Sequence, residues 1–344
     1  GGLGPTIDDR TRETVAALLG RPLEERADIV ADLETRYARV GLRLSQGARR
    51  QASVPRDADV LPNRRGSAPG LLIREGKATI ALLPGVPAEM RGMVVDSLLS
   101  RLGSGSTRVT YRTLLIAGLT ESEVDRRLEP VAKNATGIGW TILASPGQVS
   151  IHLSEPVKGG EEATLIAATE TEIRRILGHR LFAVDDETME GIVGWLLRDS
   201  GGTLSVAESM TGGGVARAIT AVPGASRYFL GGVVCYSDRV KRQEVGVRPE
   251  TLDRHGAVSA EVATEMAVGI RDRLGSVWGL SVTGYAGPEA GGGHPPGQVF
   301  VGLSGAGEPR AESFSFPGDR DAVRLRAVRG SLDLLRRTLL DESG

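Results

Sequence analysis

The chain has 344 residues, of which 40% are hydrophobic and 25% are charged, a balance typical of a globular protein with more than one domain. Its 42 basic and 43 acidic residues leave a net charge of −1, so no overall field attracts nucleic acid or an anionic membrane. A single cysteine, Cys235, excludes an intramolecular disulfide, and neither a membrane span nor an export signal is found. We therefore expect a cytoplasmic protein with no direct nucleic-acid or membrane partner.

Residues 1–103 are predicted to form an α/β domain. Apolar residues at helical spacing near the start predict two helices, and strands are predicted at 71–74 and 78–83. The stretch 46–69, punctuated by proline, asparagine and glycine, is predicted to be a loop. Residues 103–106 are predicted to form a linker to the next domain.

Residues 104–183 are predicted to form a small α+β module with the order strand, helix, strand, strand, helix. Thr120 and Glu123 have the spacing of a capping box, which predicts the start of the first helix. The turn Pro146-Gly147 predicts a hairpin between the second and third strands.

Residues 184–344 alternate between helical and strand patterns around short glycine-rich turns. This alternation favours an α/β sandwich with functional loops at the ends of its strands. Strands are predicted at 203–207, 229–236, 278–283, 298–304 and 312–316.

The turn after the first of these strands is rich in glycine and hydroxyl groups. Its candidate ligand-binding residues are Ser209, Thr211, Gly212 and Gly213. Backbone amides of such a strand-to-helix turn converge on an anion and the hydroxyl groups add donors, which favours a phosphate site. The alternative is a glycine turn required only for tight packing.

A second group of residues around the next strand has the composition of a hydrolase site. Ser226 precedes the strand, and Tyr236 and Lys241 follow in the same unit, so they could form a nucleophile with its proton acceptor. Lys241 is one of only four lysines in an arginine-rich chain, which favours a role that needs a removable proton. The alternative is that Ser226 caps a turn and Lys241 is solvated.

Two further segments offer ligand contacts. Thr283 and Gly284 end a buried strand and begin a loop of small residues that permits close approach of a ligand. Arg320 and Arg324 begin the last helix and carry guanidinium groups suited to phosphate or carboxylate. A flexible surface loop and solvated arginines are the alternatives.

Metal-binding patterns are few. The four histidines match no ligand spacing, whereas the pair Asp8-Asp9 could hold a hard divalent cation. The alternative for these aspartates is capping of a helix.

These motifs together resemble the CinA family over nearly the whole chain. GGLGPTIDDRT and LLPGVPAEM are similar to its N-terminal molybdopterin-binding-like domain, and GLTESEVDRRL is similar to its KH-like middle module. AESMTGGG and VTGYAGPEAGGG, with the segments between them, are similar to its C-terminal domain. The resemblance implies a C-terminal amidase that hydrolyses nicotinamide mononucleotide (NMN) to nicotinate mononucleotide and ammonia without a cofactor. It implies a metal-assisted ADP-ribose pyrophosphatase for the N-terminal domain, with a divalent cation.

The resemblance also implies roles for individual residues. Ser226 would be the nucleophile, activated by Lys241 and Tyr236. Ser209 and Thr283 would contact the ligand or the oxyanion. The family's helical arginine matches Arg324 most nearly, and Arg320 competes with it.

The sequence departs from the family pattern in two places. It begins at the Gly-Gly-Leu-Gly-Pro-Thr stretch, so we expect an incomplete N-terminal domain. The middle module lacks the Gly-x-x-Gly loop that clamps RNA, so we expect a spacer or dimer element in a homodimer. The alternatives to the amidase are the pyrophosphatase and a noncatalytic protein that binds a nucleotide or molybdopterin.

Overall fold

The computed structural model describes residues 1–102, 107–158 and 162–343, so the predicted linker at 103–106 lies outside the described residues. The chain divides into two compact units, Gly1–Ser106 and Thr107–Gly344. Within the described ranges, no helix has both the length and the apolar composition needed to cross a bilayer.

The N-terminal unit is a mixed α/β structure. Its helices are α1 (Thr11–Leu18), α2 (Ala27–Arg39), α3 (Gln46–Arg49), α4 (Pro87–Met93) and α5 (Leu99–Leu102), with a π-helical turn at Val94–Leu98 between the last two. Its strands are β1 (Leu23–Glu25), β2 (Ser53–Pro55), β3 (Asp59–Leu61), β4 (Gly70–Glu75) and β5 (Ala78–Leu82). Two antiparallel sheets result, β1-β2 and β3-β4-β5.

The segment 46–69 is the main difference from the expected structure of this unit. Instead of a loop it contains α3, a 3₁₀ turn at Arg50–Ala52, and strands β2 and β3. These elements are three or four residues long, so they are too short to show a periodic pattern. Their apolar side chains, including those of Ala52 and Val54, are nevertheless buried in the core.

The middle module forms a four-stranded antiparallel sheet covered by two helices. Its elements are β6 (Thr107–Ile116), α6 (Glu121–Asn134), β7 (Gly139–Ser145), β8 (Gln148–Lys158), α7 (Thr164–Leu177) and β9 (Leu181–Val184). The sheet order is β7-β8-β6-β9, so β9 adds one strand to the predicted order. The predicted capping box is confirmed: Glu123 N–H donates to Thr120 Oγ1, and Thr120 N–H donates to the Glu123 carboxylate.

The C-terminal α/β domain contains the rest of the chain. Its helices are α8 (Met189–Asp199), α9 (Gly214–Thr220), α10 (Asp238–Val245), α11 (Pro249–His255), α12 (Ala260–Leu274) and α13 (Arg320–Ser343). Its strands are β10 (Leu204–Glu208), β11 (Phe229–Val234), β12 (Trp278–Gly284), β13 (Gln298–Ser304) and β14 (Arg310–Ser315).

These five strands form one sheet in the order β11-β10-β12-β13-β14. Strand β10, which lies between β11 and β12, is parallel to both of them, and the remaining pairs are antiparallel. Side chains of β10 alternate between two cores: Val206 packs on the side of α8 and α13, and Ala207 on the side of α12. The predicted α/β sandwich is therefore confirmed.

The parallel strands define the functional edge of this sheet. Strands β10, β11 and β12 all end at the same edge, and the turns that follow them begin at Ser209, Cys235 and Tyr285. Open α/β sheets bind ligands outside the carboxyl ends of their parallel strands. These three turns are therefore the expected place for a ligand site.

Candidate active site

A buried lysine contacts a serine at this edge of the sheet. Lys241, on α10, is only 2% exposed. Its Nζ donates to the Cys235 carbonyl at 3.1 Å and to Ser209 Oγ at 3.3 Å. Ser209 is itself 8% exposed and is held by its N–H, which donates to the Val282 carbonyl on β12. The two side chains thus meet where the parallel strands end.

The surroundings of Lys241 lower the pKa of its ammonium group. Burial is the dominant cause, because desolvation disfavours the charged form. The nearest carboxylate, Asp238, lies 3.9 Å away and is 62% exposed, so it compensates little of the lost hydration. An amine whose pKa is lowered can accept a proton from a neighbouring hydroxyl group.

Ser226 does not lie beside Lys241. It is exposed in the 3₁₀ turn Ala225–Arg227, which precedes β11, whereas Lys241 contacts the residue that follows β11. The six residues of β11 span about 20 Å, so the two side chains lie at opposite edges of the sheet. The structure therefore does not bring Ser226 and Lys241 of one chain together, and it places Ser209 beside Lys241 instead.

The glycine turn between β10 and α9 has a backbone that only glycine adopts readily. Gly212 and Gly213 have φ angles of +60° and +90°, in the left-handed region. The turn is closed by two backbone hydrogen bonds, from Gly212 N–H to the Ser209 carbonyl and from Gly214 N–H to the Thr211 carbonyl. These bonds fix the position of Ser209.

The first amides of α9 are already occupied by a side chain of the protein. Glu208 is 1% exposed, and its carboxylate accepts hydrogen bonds from Val215 N–H at 3.0 Å and Ala216 N–H at 2.8 Å. The N–H groups of Val215 and Ala216 are therefore not free to bind a phosphate, because Glu208 fills the position that an anion would take there. The sequence pattern does not indicate this role of Glu208.

Neutralising Glu208 should destabilise the domain. Glu208→Gln replaces one charged carboxylate oxygen by an amide NH₂ group, which cannot accept a hydrogen bond from the backbone N–H that faces it. We therefore expect the free energy of unfolding to fall by about 2–3 kcal/mol. Urea denaturation followed by circular dichroism measures this loss. Glu308→Gln, which changes an exposed glutamate, is the matched control and should stay within about 0.5 kcal/mol of wild type. Equal stabilities of the two variants would contradict the capping role of Glu208.

The two backbone amides that follow Ser209 have no hydrogen-bond partner among the described residues. Within the described part of the chain, the N–H groups of Met210 and Thr211 donate to no protein acceptor. They follow Ser209 directly, which is the position of the donor in many oxyanion holes. The Oγ1 of Thr211 is also buried without a partner.

The two helical arginines have different positions. Arg320 donates to Tyr236 Oη at 3.1 Å and to the Gly287 carbonyl at 2.8 Å, so it links the turns after β11 and β12. Arg324 instead donates to the carbonyl of Thr211, within the glycine turn, at 3.0 Å. Arg320 therefore lines the space between the turns after β11 and β12, whereas Arg324 supports the glycine turn.

A cavity of about 430 Å³ adjoins this edge, a size within the range of small-molecule sites. Its lining includes Met210, Tyr236, Gly284, Tyr285 and Arg320. Tyr236 is 60% exposed, so its ring is accessible to a ligand. We call this space the strand-end cavity.

Thr283 and Gly284 serve mainly to position the strand end. Thr283 is fully buried, and its hydroxyl group donates to the Ala257 carbonyl at 2.8 Å. A Cβ on Gly284 would lie 2.6 Å from the Gln298 carbonyl oxygen, so only glycine fits there. Gly284 lines the strand-end cavity, whereas the Thr283 hydroxyl group is already engaged.

The predicted metal-binding pair lies in the N-terminal unit and does not form a ligand set. The Asp9 carboxylate accepts hydrogen bonds from Thr6 N–H at 2.9 Å and Thr6 Oγ1 at 2.5 Å, which lower its pKa. Asp8 is exposed. Across the described ranges, no three His, Cys, Asp or Glu side chains come close enough to hold a metal ion. These residues alone do not fit a divalent cation.

Three family models match the chain in order. They are described as "Probable molybdopterin binding domain" for residues 1–103, "Damage-inducible protein CinA KH domain" for 111–183 and "CinA C-terminal domain" for 186–339. The last two lie within one compact unit of this structure.

Whole-length relatives agree with these matches. A CinA-like protein from Myxococcus xanthus is 43% identical over 352 residues, which cover 99% of this chain and 83% of that protein. One from Thermosynechococcus vestitus is 42% identical over 353 residues, with the same coverage of each chain. A solved CinA superfamily protein from Klebsiella pneumoniae is 35% identical and covers 45% of this chain and 99% of its own, with a TM-score of 0.44. The resemblance in the sequence is confirmed, and the chain belongs to the CinA family.

Proposed function

We propose that the C-terminal α/β domain is a nicotinamide-nucleotide amidase that hydrolyses the carboxamide of NMN to nicotinate mononucleotide and ammonia. The observation that carries this proposal is the buried contact between Lys241 and Ser209 beside the strand-end cavity. The resemblance supplies the substrate class, and the contact supplies a nucleophile with a base. We assign the nucleophile to Ser209 rather than to Ser226.

In the proposed mechanism the neutral Lys241 amine accepts the proton of Ser209 Oγ as the oxygen attacks the carboxamide carbon. The tetrahedral oxyanion that forms is stabilised by the N–H groups of Met210 and Thr211. Lys241 then returns the proton to the departing nitrogen, and ammonia leaves. Water, activated by the same amine, opens the acyl-enzyme and regenerates Ser209 with nicotinate mononucleotide as product.

Arg320 and Tyr236 are proposed to position the substrate. The Arg320 guanidinium ties the Tyr236 hydroxyl group to the loop after β12, so the strand-end cavity keeps its shape. Replacing Arg320 by glutamine removes a charge and two hydrogen bonds. We expect this variant to raise KM for NMN by about tenfold or more, with a smaller effect on kcat. A kcat that falls while KM stays unchanged would contradict a positioning role.

No metal enters this mechanism, because a serine with a neutral amine performs each proton transfer. We do not propose the pyrophosphatase for this chain, since Asp9 is held by Thr6 and no further ligands lie near it within the described ranges. The noncatalytic alternative does not account for the burial of Lys241 against Ser209. Burying an amine costs free energy. In an amidase that burial produces a base, whereas a protein that only binds its ligand does not require one.

The direct test is ammonia release from NMN by the purified 344-residue chain, measured with a coupled glutamate dehydrogenase assay. EDTA is included to remove divalent cations. We expect steady release of ammonia with one nicotinate mononucleotide per ammonia. Release that does not exceed that of Ser209→Ala would refute the proposal.

A further inference from the structure

A second and larger cavity, of about 750 Å³, lies where the middle module meets the C-terminal α/β domain. Its walls are the glycine turn with α9, the N-terminal half of α13, residues 187–190, and Leu115 with Gln148 of the middle module. Both parts belong to one compact unit. We call it the junction cavity. Neither Ser209, Lys241, Tyr236 nor Arg320 lines it, so the proposed nucleophile, base and positioning residues lie outside it, and Thr211 is the residue that the two sites share.

Two guanidinium groups of this cavity have unused donors. Arg217, on α9, is exposed and forms no ion pair within the described ranges. Arg324 donates one N–H to the Thr211 carbonyl, while its Nε is buried without an acceptor. The Oγ1 of Thr211, a residue 1% exposed, is likewise buried without a partner. Buried polar atoms without partners are uncommon in folded proteins and often mark a place where a ligand binds.

The acidic residues of the lining do not cancel these donors. Glu187 accepts a hydrogen bond from Val184 N–H at 2.8 Å. The Asp321 carboxylate lies 3.8 Å from Arg324, but its side chain is 93% exposed, so water screens this pair. Glu190 acts electrostatically on Arg329, whose guanidinium donates to the Pro146 carbonyl. Arg217 and Arg324 remain available to an anion.

Another part of the lining is apolar. It consists of the side chains of Leu115, Met189, Ala218, Ala221, Leu325, Val328 and Leu332, and Gln148 and Thr188 are its neutral polar members. An apolar wall beside two guanidinium groups suits a ligand with a flat ring at one end and a phosphate at the other. A nucleoside monophosphate has this chemistry and a size that such a cavity accommodates.

We propose that the junction cavity is a second ligand site that binds a nucleoside monophosphate, with its phosphate between Arg217 and Arg324 and its base against the apolar residues of α9 and α13. Binding in this cavity does not require turnover of NMN. Arg324 also donates a hydrogen bond to the Thr211 carbonyl, so a phosphate bound to Arg324 would contact the side chain that supports the turn carrying Ser209.

Calorimetric titration of AMP into the 344-residue chain tests this site. We expect Arg217→Ala to weaken the titrated binding by about tenfold or more, because a charge-assisted pair with the phosphate is lost. Arg227→Ala, which removes another exposed arginine outside the cavity, should bind like wild type. Adenosine, which lacks the phosphate, should bind at least about tenfold more weakly than AMP. Hydrogen exchange should slow at residues 211–221 when AMP is bound.

Two comparisons distinguish AMP binding in the junction cavity from AMP binding elsewhere on the chain. Lys241→Met removes the proposed base of the amidase site, and Lys241 does not line the junction cavity, so this variant should keep the wild-type affinity for AMP. Loss of AMP binding in Lys241→Met would place the nucleotide in the proposed active site and overturn the inference. Equal AMP binding by wild type and Arg217→Ala would overturn it as well. Neither readout depends on turnover of NMN, so the amidase proposal can fail while this site stands.

Discussion

Replacement of Ser209 by alanine is expected to lower kcat for ammonia release from NMN by about 10³-fold or more, because it removes the hydroxyl group that is proposed to form the acyl-enzyme. Ser209 is the hydroxyl group that Lys241 contacts, and the amides of Met210 and Thr211 follow it directly. The coupled ammonia assay measures the loss. Far-ultraviolet circular dichroism should show that the variant keeps its secondary structure.

Ser226→Ala is the matched control for this substitution. The same hydroxyl group is removed from the same domain, but at the opposite edge of the sheet and on an exposed turn. We expect its kcat and KM for NMN to stay within about twofold of wild type. If Ser226→Ala lost turnover and Ser209→Ala kept it, Ser226 and not Ser209 would be the nucleophile.

Lys241→Arg is expected to reduce turnover of NMN by about 10²-fold or more. Arginine keeps the positive charge but does not lose its proton in a protein, so it cannot accept one from Ser209. Lys241→Met removes the amine entirely and should be at least as inactive. Full activity of Lys241→Arg would exclude proton transfer by this side chain and leave it only an electrostatic role.

The pH dependence of kcat/KM follows from the same group. Burial lowers the pKa of Lys241 below the ordinary lysine value of 10.5, and only the neutral amine can act as base. The rate should therefore rise with pH and level off above the lowered pKa. An acidic limb of this kind would be absent from the residual rate of Lys241→Met.

The free energy of unfolding should also depend on the charge of Lys241. At a pH below its folded pKa, Lys241 is charged in both states, and burial of that charge opposes folding. Between the folded pKa and 10.5 the unfolded chain binds more protons, so the free energy of unfolding rises with pH in that window. Lys241→Met, which fills the same space without a charge, should therefore have a Tm no lower than wild type at neutral pH. A clearly lower Tm would show that the ammonium group stabilises the fold.

Much of the fold is predictable from sequence because its longer elements are strongly periodic. The helix that begins after Thr120 and the strands of the C-terminal sheet follow from apolar spacing and capping alone. The segment 46–69 does not, because its short strands are held by burial in the core of the N-terminal unit rather than by local pattern. Strand β9 is short in the same way, and its pairing with β6 is a tertiary contact.

The sequence indicates the motifs that contribute to the candidate site but not which serine lies beside Lys241. Ser226, Tyr236 and Lys241 are close in sequence, yet β11 separates Ser226 from the other two in space. The parallel arrangement could have indicated this, because side chains that follow parallel strands share one edge and a residue before a strand lies at the other. Ser209 and Tyr236 follow strands and Gly284 ends one, whereas Ser226 precedes a strand.

The role of Glu208 was not predictable from spacing. A glycine turn before a helix is the usual pattern of a phosphate cradle, and only the structure shows that the carboxylate one residue earlier occupies the amides of Val215 and Ala216. The same holds for Arg320 and Arg324, which lie one helical turn apart. Only their hydrogen bonds, to Tyr236 and to the Thr211 carbonyl, distinguish their roles.

Hydrolysis of NMN in water enriched in ¹⁸O, followed by mass spectrometry of the products, tests the central claim most directly. The amidase mechanism predicts nicotinate mononucleotide with one heavy oxygen in its carboxylate, together with ammonia, since water opens an acyl-enzyme on Ser209. Ser209→Ala should give neither product above background. Release of free nicotinamide with the heavy oxygen in ribose phosphate, or recovery of unchanged NMN from the wild-type protein, would contradict the account.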